Sequence, residues 1–233
     1  KHHIENIDAI IHLSALSNDP VGELNADLTD DINYKSTIKL AKIAKEQRIK
    51  RFIFISSQSM YGVSNTDDEL DEFKSNKNPI TSYAQTKWQA EQELHKLQDD
   101  DFEIIILRPS TVFGMSPMFR SDIVFNNLLS SALSTNKIKI LTDGMPWRPV
   151  ISIEDLCNLI EVCVFENIKF FKSRVYNVGY KNGNFRVIDL ANTVNFLIPD
   201  SKIEINKNYN NDARTYKVSF KRLHDELGQI YTP

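Results

Sequence analysis

Arg51-Phe-Ile-Phe-Ile-Ser-Ser-Gln-Ser-Met-Tyr-Gly62 decides how this chain is read. Its first half is a short run of β-branched and aromatic residues, the composition of a strand. A near-continuous apolar run is what a parallel strand buried on both faces requires. Its second half is a small-residue turn rich in hydroxyls. Hydroxyls just beyond the carboxyl end of a buried strand lie where a parallel α/β sheet places its chemistry. Working outward, Asp8-Ala-Ile-Ile-His-Leu13 and Glu103-Ile-Ile-Ile-Leu-Arg108 are similar buried strands, the second ended by Pro109. Shorter strands are predicted at 137–141, 148–153 and 174–178. Apolar periodicity predicts helices at about 31–48, 82–97, 122–133, 154–165 and 187–197. Strands alternating with helices imply a parallel sheet covered on both faces. Residues 14–30 and 65–79 read as loops. The second is acidic and serves either as a rim over the site or as a plain solvated insertion. The tail from Ser201 reads as a mixed, charged segment.

The totals bound the answer. A chain of 233 residues with 41% hydrophobic content buries a real core. A net charge of −3 offers no basic stripe for nucleic acid. Cys157 and Cys163 read as helix residues rather than a disulfide or metal site. His2 and His3 lack the partners of a metal centre, so no metal is expected. No apolar run approaches a membrane span and no signal peptide is visible, so a soluble cytoplasmic protein is expected.

In Ser82-Tyr-Ala-Gln-Thr-Lys-Trp-Gln-Ala-Glu91, Tyr83 and Lys87 stand four apart, on one face of a helix. A free phenol has a pKa near 10, and a neighbouring ammonium favours its ionised form. Such a pair can take a proton from a sugar or alcohol hydroxyl, or return one. Ser57, at the end of the strand at 51–56, is placed to hydrogen-bond the reacting oxygen.

Seven segments occur in an order that resembles the extended short-chain dehydrogenase/reductase family, specifically its NAD-dependent sugar-nucleotide epimerases and dehydratases. They are Ile11-His-Leu-Ser-Ala15, Asn33-x-x-Ser-Thr37, Ser56-Ser-Gln-Ser-Met-Tyr-Gly62, Tyr83-x-x-x-Lys87, Leu107-Arg-Pro-Ser-Thr-Val-Phe-Gly114, Arg148-Pro-Val-Ile-Ser-Ile-Glu-Asp155 and Tyr176-Asn-Val-Gly179. Each is weak alone, and together they cover nearly the whole chain. The resemblance implies a Rossmann-like, doubly wound parallel sheet with a smaller C-terminal substrate-binding region. Residues 1–115 and 148–179 would form the dinucleotide-binding part, and 116–147 and 180–233 the substrate-binding part. It implies a bound NAD, with NADP left open, and a nucleotide-sugar substrate.

The resemblance also assigns roles. Ser57, Tyr83 and Lys87 would be the catalytic set, with Lys87 also holding the nicotinamide ribose. His12, Leu13, Ser14, Ala15, Asn33, Ser56 and Pro109 would join Tyr83 and Lys87 in lining the cofactor. For Asn33, an internal hydrogen bond that ties its loop down is an equal reading. Ser59, Thr111, Arg148 and Arg214 would meet the substrate, with the two arginines on phosphate, and for Arg214 a solvated surface position is an equal reading. Asp155 reads as a helix cap or anchor. Family members often dimerise through paired helices, so the helices at 31–48 and 82–98 allow a homodimer.

Departures narrow the reading. The 4,6-dehydratase branch carries an Asp-Glu pair directly after the catalytic hydroxyl, and the matching positions here are Gln58 and Ser59. Ser14 and Ser36 are milder replacements. No glycine-rich turn precedes Asp8, and the expected fold is therefore incomplete at both ends, with truncation favoured over natural loss. The leading expectation is a C4 epimerase. A nucleotide-ketosugar reductase shares the same three residues, and a non-catalytic binding module on this fold is the reading from a different class.

Overall fold

The computed structural model describes residues 7–17, 19–64, 68–205 and 215–233. Four strands, β1 (Ala9–His12), β2 (Arg51–Ile55), β3 (Glu103–Pro109) and β7 (Val175–Val178), make a parallel sheet in the order β1-β2-β3-β7. Between β1 and β2 lie α1 (Asp19–Leu24), α2 (Ala26–Asp30), a π turn (Asp31–Lys35) and α3 (Ser36–Glu46). A 3-10 turn (Gln58–Tyr61) and α4 (Ser82–Leu97) join β2 to β3. The strand period of two sorts the core into layers. Phe52, Phe54, Ile104 and Ile106 face Ala41, Ala44, Ala90 and Leu94 of α3 and α4. Ile53, Ile105 and Leu107 face the opposite layer. There they meet Leu156, Leu159 and Cys163 of α6 (Ile153–Phe165) and Leu223 and Leu227 of α8 (Lys221–Leu227). The sheet is therefore wound on both faces. Each fully buried side chain of this kind contributes about 1.5–3 kcal/mol of transfer free energy.

A smaller body is built around the second sheet. Ser110 interrupts β3, and β4 (Thr111–Phe113) leaves to pair with β6 (Trp147–Ser152), which pairs antiparallel with β8 (Asn184–Arg186). The strand β6, placed by sequence with the dinucleotide-binding part, thus belongs to this second sheet. A separate parallel pair joins β5 (Lys137–Ile140) to β9 (Lys202–Ile205). Helices α5 (Val124–Thr135) and α7 (Val187–Leu197) pack their apolar faces against these strands through Leu128, Ala132, Leu190 and Val194.

Other differences from the sequence reading have local causes. The segment 14–30, read as a loop, holds α1 and α2, and Asn25 caps α2 by accepting from Leu28 N at 3.0 Å. The charged tail contains β9 and α8. The acidic segment 68–79 contributes nothing to the wall of the main cavity. It is stitched to the sheet instead: Glu72 accepts from Asn177 N at 2.9 Å, and Leu70 bridges to Val218. Arg51 adds a buried anchor. Its guanidinium pairs with Glu103 at 2.7 Å and donates to the carbonyls of Cys163, Val164 and Glu166, where the α6 dipole is negative.

Candidate active site

β2 delivers Ser56 and Ser57 to the carboxyl edge of the main sheet. Ser57 opens the 3-10 turn, accepting from Ser59 N at 3.1 Å and donating its own hydroxyl proton to Ser59 Oγ at 2.9 Å. Thr81 caps α4, accepting from Ala84 N at 3.2 Å, so Tyr83 lies in the first helical turn and Lys87 one turn later. Lys87 is buried, with its ammonium 4.6 Å from the Phe54 ring centre and donating to Ile55 O at 2.7 Å. Burial pulls its pKa down to about 8, while the Glu91 carboxylate works in the opposite direction.

Ser57, Tyr83 and Lys87 all line one cavity of about 900 Å³ between the two sheets. Ser56, Ser59, Pro109, Thr111 and Arg148 share its wall, as do Leu13 and Ala15. Arg148 donates to Trp147 O at 2.9 Å. Three of the expected cofactor residues are not brought there. His12 points into the layer beneath, because alternation along β1 puts it with Ile10 on the α3 side. Its Nε2 meets Thr37 Oγ1 at 2.8 Å and its ring stacks on Phe54. Burial pulls its pKa down to about 4, aided by the nearby Lys87 charge. Ser14 is exposed and off the wall. Asn33, in the π turn, clamps the backbone of Leu16 at 2.7 and 3.2 Å, the internal tie that sequence allowed. Arg214, with His2 and His3, lies outside the described residues.

Gln58 stands at the position where the dehydratase branch carries an acid. It is buried off the cavity wall and donates to Arg108 O at 3.0 Å and Ser110 Oγ at 3.2 Å. Asp155 anchors rather than reacts: it accepts from Ser152 Oγ at 2.5 Å and Tyr180 OH at 2.7 Å. Sequence reading missed Arg120, Asp122, Lys139 and Tyr216, which also line the cavity. Arg120 pairs with Asp122 at 2.6 Å. Its pKa is raised first by that bond, with a smaller part from Tyr83. A charged pair inside a loop carries no periodic signal, so nothing in the sequence marked it. Among the described residues no cluster of ligands suits a metal ion.

The match to known proteins follows the same outline. A family model described as the NAD dependent epimerase/dehydratase family matches residues 2–179. The chain belongs to that family. Human dTDP-D-glucose 4,6-dehydratase is 27% identical over 230 residues, covering 94% of this chain and 63% of the relative. Vibrio cholerae UDP-glucose 4-epimerase is 27% identical over 173 residues, covering 69% of this chain and 49% of the relative. The chain thus spans less than two thirds of either relative's length. A UDP-glucose 4-epimerase from Thermotoga maritima, solved with UDP-glucose, superposes with a TM-score of 0.81 at 18% identity. That likeness covers 97% of this chain and 72% of the other, and it is a likeness of fold. The family is NAD-dependent. The cavity offers such a cofactor an open polar atom: Ser56 lines its wall, as do Lys87 and Pro109, and Ser56 Oγ is buried with no hydrogen-bond partner. Unpaired buried hydroxyls are uncommon in native structures.

Proposed function

We propose that the full-length protein is an NAD-dependent nucleotide-sugar epimerase acting at the sugar C4. The observation that carries the reading is the convergence of Ser57, Tyr83 and Lys87 on one cavity, together with Gln58 turned off its wall. Bound in this cavity, NAD would supply the acceptor for a hydride from the sugar carbon and the source of its return. Ser57 holds the reacting oxygen. Tyr83 takes the hydroxyl proton as the sugar becomes a ketone and gives it back when the alcohol re-forms. Lys87 favours the ionised phenol and holds the ribose. Thr111 and Ser59 face the sugar, and Arg148 and Lys139, both on the cavity wall, supply positive charge for a diphosphate. Arg214 joins them in this proposal on its sequence match. An amide at position 58 cannot donate the acidic proton that water loss needs, which weighs against dehydration.

In this reading the main sheet and its helices serve the cofactor, and the second sheet with β4 and β6, together with α5 and α7, serves the substrate. Among the described residues no helix is long and apolar enough to cross a membrane. A cytoplasmic homodimer packed through α3 and α4 completes the proposal. The test is incubation of the full-length protein with UDP- and dTDP-hexoses in the presence of NAD. An isomer formed with no net change in reduced cofactor supports the epimerase. Stoichiometric consumption of reduced cofactor with a 4-keto substrate identifies a reductase instead, and a 4-keto-6-deoxy product identifies a dehydratase. Tyr83→Phe removes most turnover and leaves cofactor binding intact; undiminished turnover refutes the proton-transfer role.

A further inference from the structure

Arg108 is among the largest fully buried side chains, at 2% exposure, and is not part of the cavity wall. It lies on β3, yet its bonds run to two other elements that carry the reactive groups. Its guanidinium grips Glu91 of α4 through Nε at 3.0 and 3.2 Å and through Nη2 at 2.6 Å. Nη1 donates to Tyr61 OH at 2.9 Å and to Glu72 O at 3.2 Å. Tyr61 ends the 3-10 turn that Ser57 begins, and its hydroxyl proton goes to Asn177 Oδ1 at 2.8 Å. The Arg108 carbonyl accepts from Gln58 of the same turn. One residue thus ties the serine turn and the tyrosine helix to a single point of the sheet.

The geometry has a directional consequence. Glu91 follows Lys87 by four residues and Tyr83 by eight, so all three share one face of α4. A planar fork held by two carboxylate oxygens fixes the rotation of that helix as well as its distance from the sheet. Stability alone is a poor reason for such a pair: apolar residues of similar volume commonly hold a fold as well or better. The best-attested use of a buried ion pair is to specify register. We infer that Arg108 is a positioning residue: its bonds to Glu91 and Tyr61 set the register of α4 against the 3-10 turn, so that Tyr83, Lys87 and Ser57 face the same cavity. This rests on the proposed function for its catalytic meaning but not for its geometry.

Two variants of the full-length protein test it. Tyr61→Phe cuts one tie and leaves the ion pair. Arg108→Met/Glu91→Leu removes both charges together, leaving no unpaired ion. With UDP-glucose as the probe, kcat falls by about a hundredfold in each, the scale of a misplacement near 1 Å, while KM changes little. Urea midpoints stay near the parent value. A stable double variant with parental kcat overturns the inference, and should the double variant fail to fold, Tyr61→Phe with parental kcat overturns it too. A readout independent of turnover separates this from the epimerase reading. In Arg108→Met/Glu91→Leu, α4 is no longer held, Lys87 loses its bond to Ile55 O and gains solvent, and its amine pKa by NMR rises by about one unit or more, although loss of the Glu91 carboxylate alone would lower it. If no hexose nucleotide is turned over, that titration alone decides, and an unmoved Lys87 refutes the positioning role.

Discussion

The Lys87 ammonium donates to the carbonyl of Ile55, the last residue of β2, at 2.7 Å. That bond joins the helix bearing Tyr83 to the strand that delivers Ser57, one residue before it turns. It also leaves the ammonium's remaining protons for the cavity. The same charge is buried among apolar neighbours, with the Phe54 ring against it. The arrangement needed for chemistry is therefore costly to folding.

That cost has a pH signature. The Lys87 pKa is near 8 folded and near 10.5 unfolded, so between those values the unfolded chain binds more protons. Stability from this residue is lowest below pH 8 and rises toward pH 10.5, by about 3 kcal/mol in total. Lys87→Met is expected to be more stable than the parent at pH 7 and nearly inactive. Urea unfolding at pH 7 and pH 10 measures the gap, which should narrow as pH rises. A variant that is less stable at pH 7 would show that the lysine is not a burden.

His12 gives a second test of the same sign, on the acid side. Thr37 Oγ1 donates to Asn33 O at 2.8 Å, so it must accept from His12, which fixes the proton on Nε2. The neutral ring suits its buried place, and its pKa is held near 4 against 6.5 unfolded. Its contribution is fully present above pH 6.5 and is lost as pH falls toward 4, at most about 3 kcal/mol. His12→Gln keeps a donor that does not titrate. Its stability should depend less steeply on pH over that range, by up to about one proton. Equal slopes would mean that His12 is accessible to protons in the folded protein.

Asn33→Ala tests the loop clamp. Both bonds to Leu16 are lost, and Leu13, Ala15 and Ser17 on the cavity wall lose their tether. A buried, doubly bonded amide of this kind is worth about 1–3 kcal/mol. For a chain of this size that is a fall of roughly 2–4 °C in Tm per kcal/mol. Calorimetry of NAD binding to the full-length protein should show weaker affinity as well. A lowered Tm with unchanged affinity would confine Asn33 to folding.

Much of this was legible in the residues themselves. Runs such as Ile104-Ile-Ile-Leu107 name a strand buried on both sides, and the Tyr83–Lys87 spacing puts two groups on one helical face. What stayed hidden depends on partners far away in sequence. The alternation that sends His12 inward and leaves Leu13 on the wall shows only once β1 is paired with β2. Gln58 looks like a site residue by position, and only Arg108 O and Ser110 reveal that it turns away. Arg108 itself reads as the end of a strand, because Glu91, Tyr61 and Glu72 come to it from separate segments. The helices at 19–30 and the tail elements β9 and α8 were obscured because short, polar segments take their structure from caps and packing rather than periodicity.

Gly62 makes a sharper prediction about the approach to Tyr83. Its φ is +70°, a region where a side chain is strained. An added Cβ would lie 2.2 Å from Asn78 O, a backbone atom held in place because Asn78 N donates to Met60 O at 2.9 Å. The clash cannot be relieved by turning a side chain. Chain 78–81 must move away, carrying with it Ile80 on the cavity wall and Thr81, the cap of α4. Gly62→Ala should therefore destabilise the fold by about 2–4 kcal/mol, combining strain with overpacking. Turnover per folded molecule should fall as well, since the cap that starts the Tyr83 turn is displaced. Denaturant unfolding together with active-site titration separates the two effects. If Gly62→Ala keeps the parental midpoint, the close approach of Asn78 to residue 62 is not a feature of the folded protein.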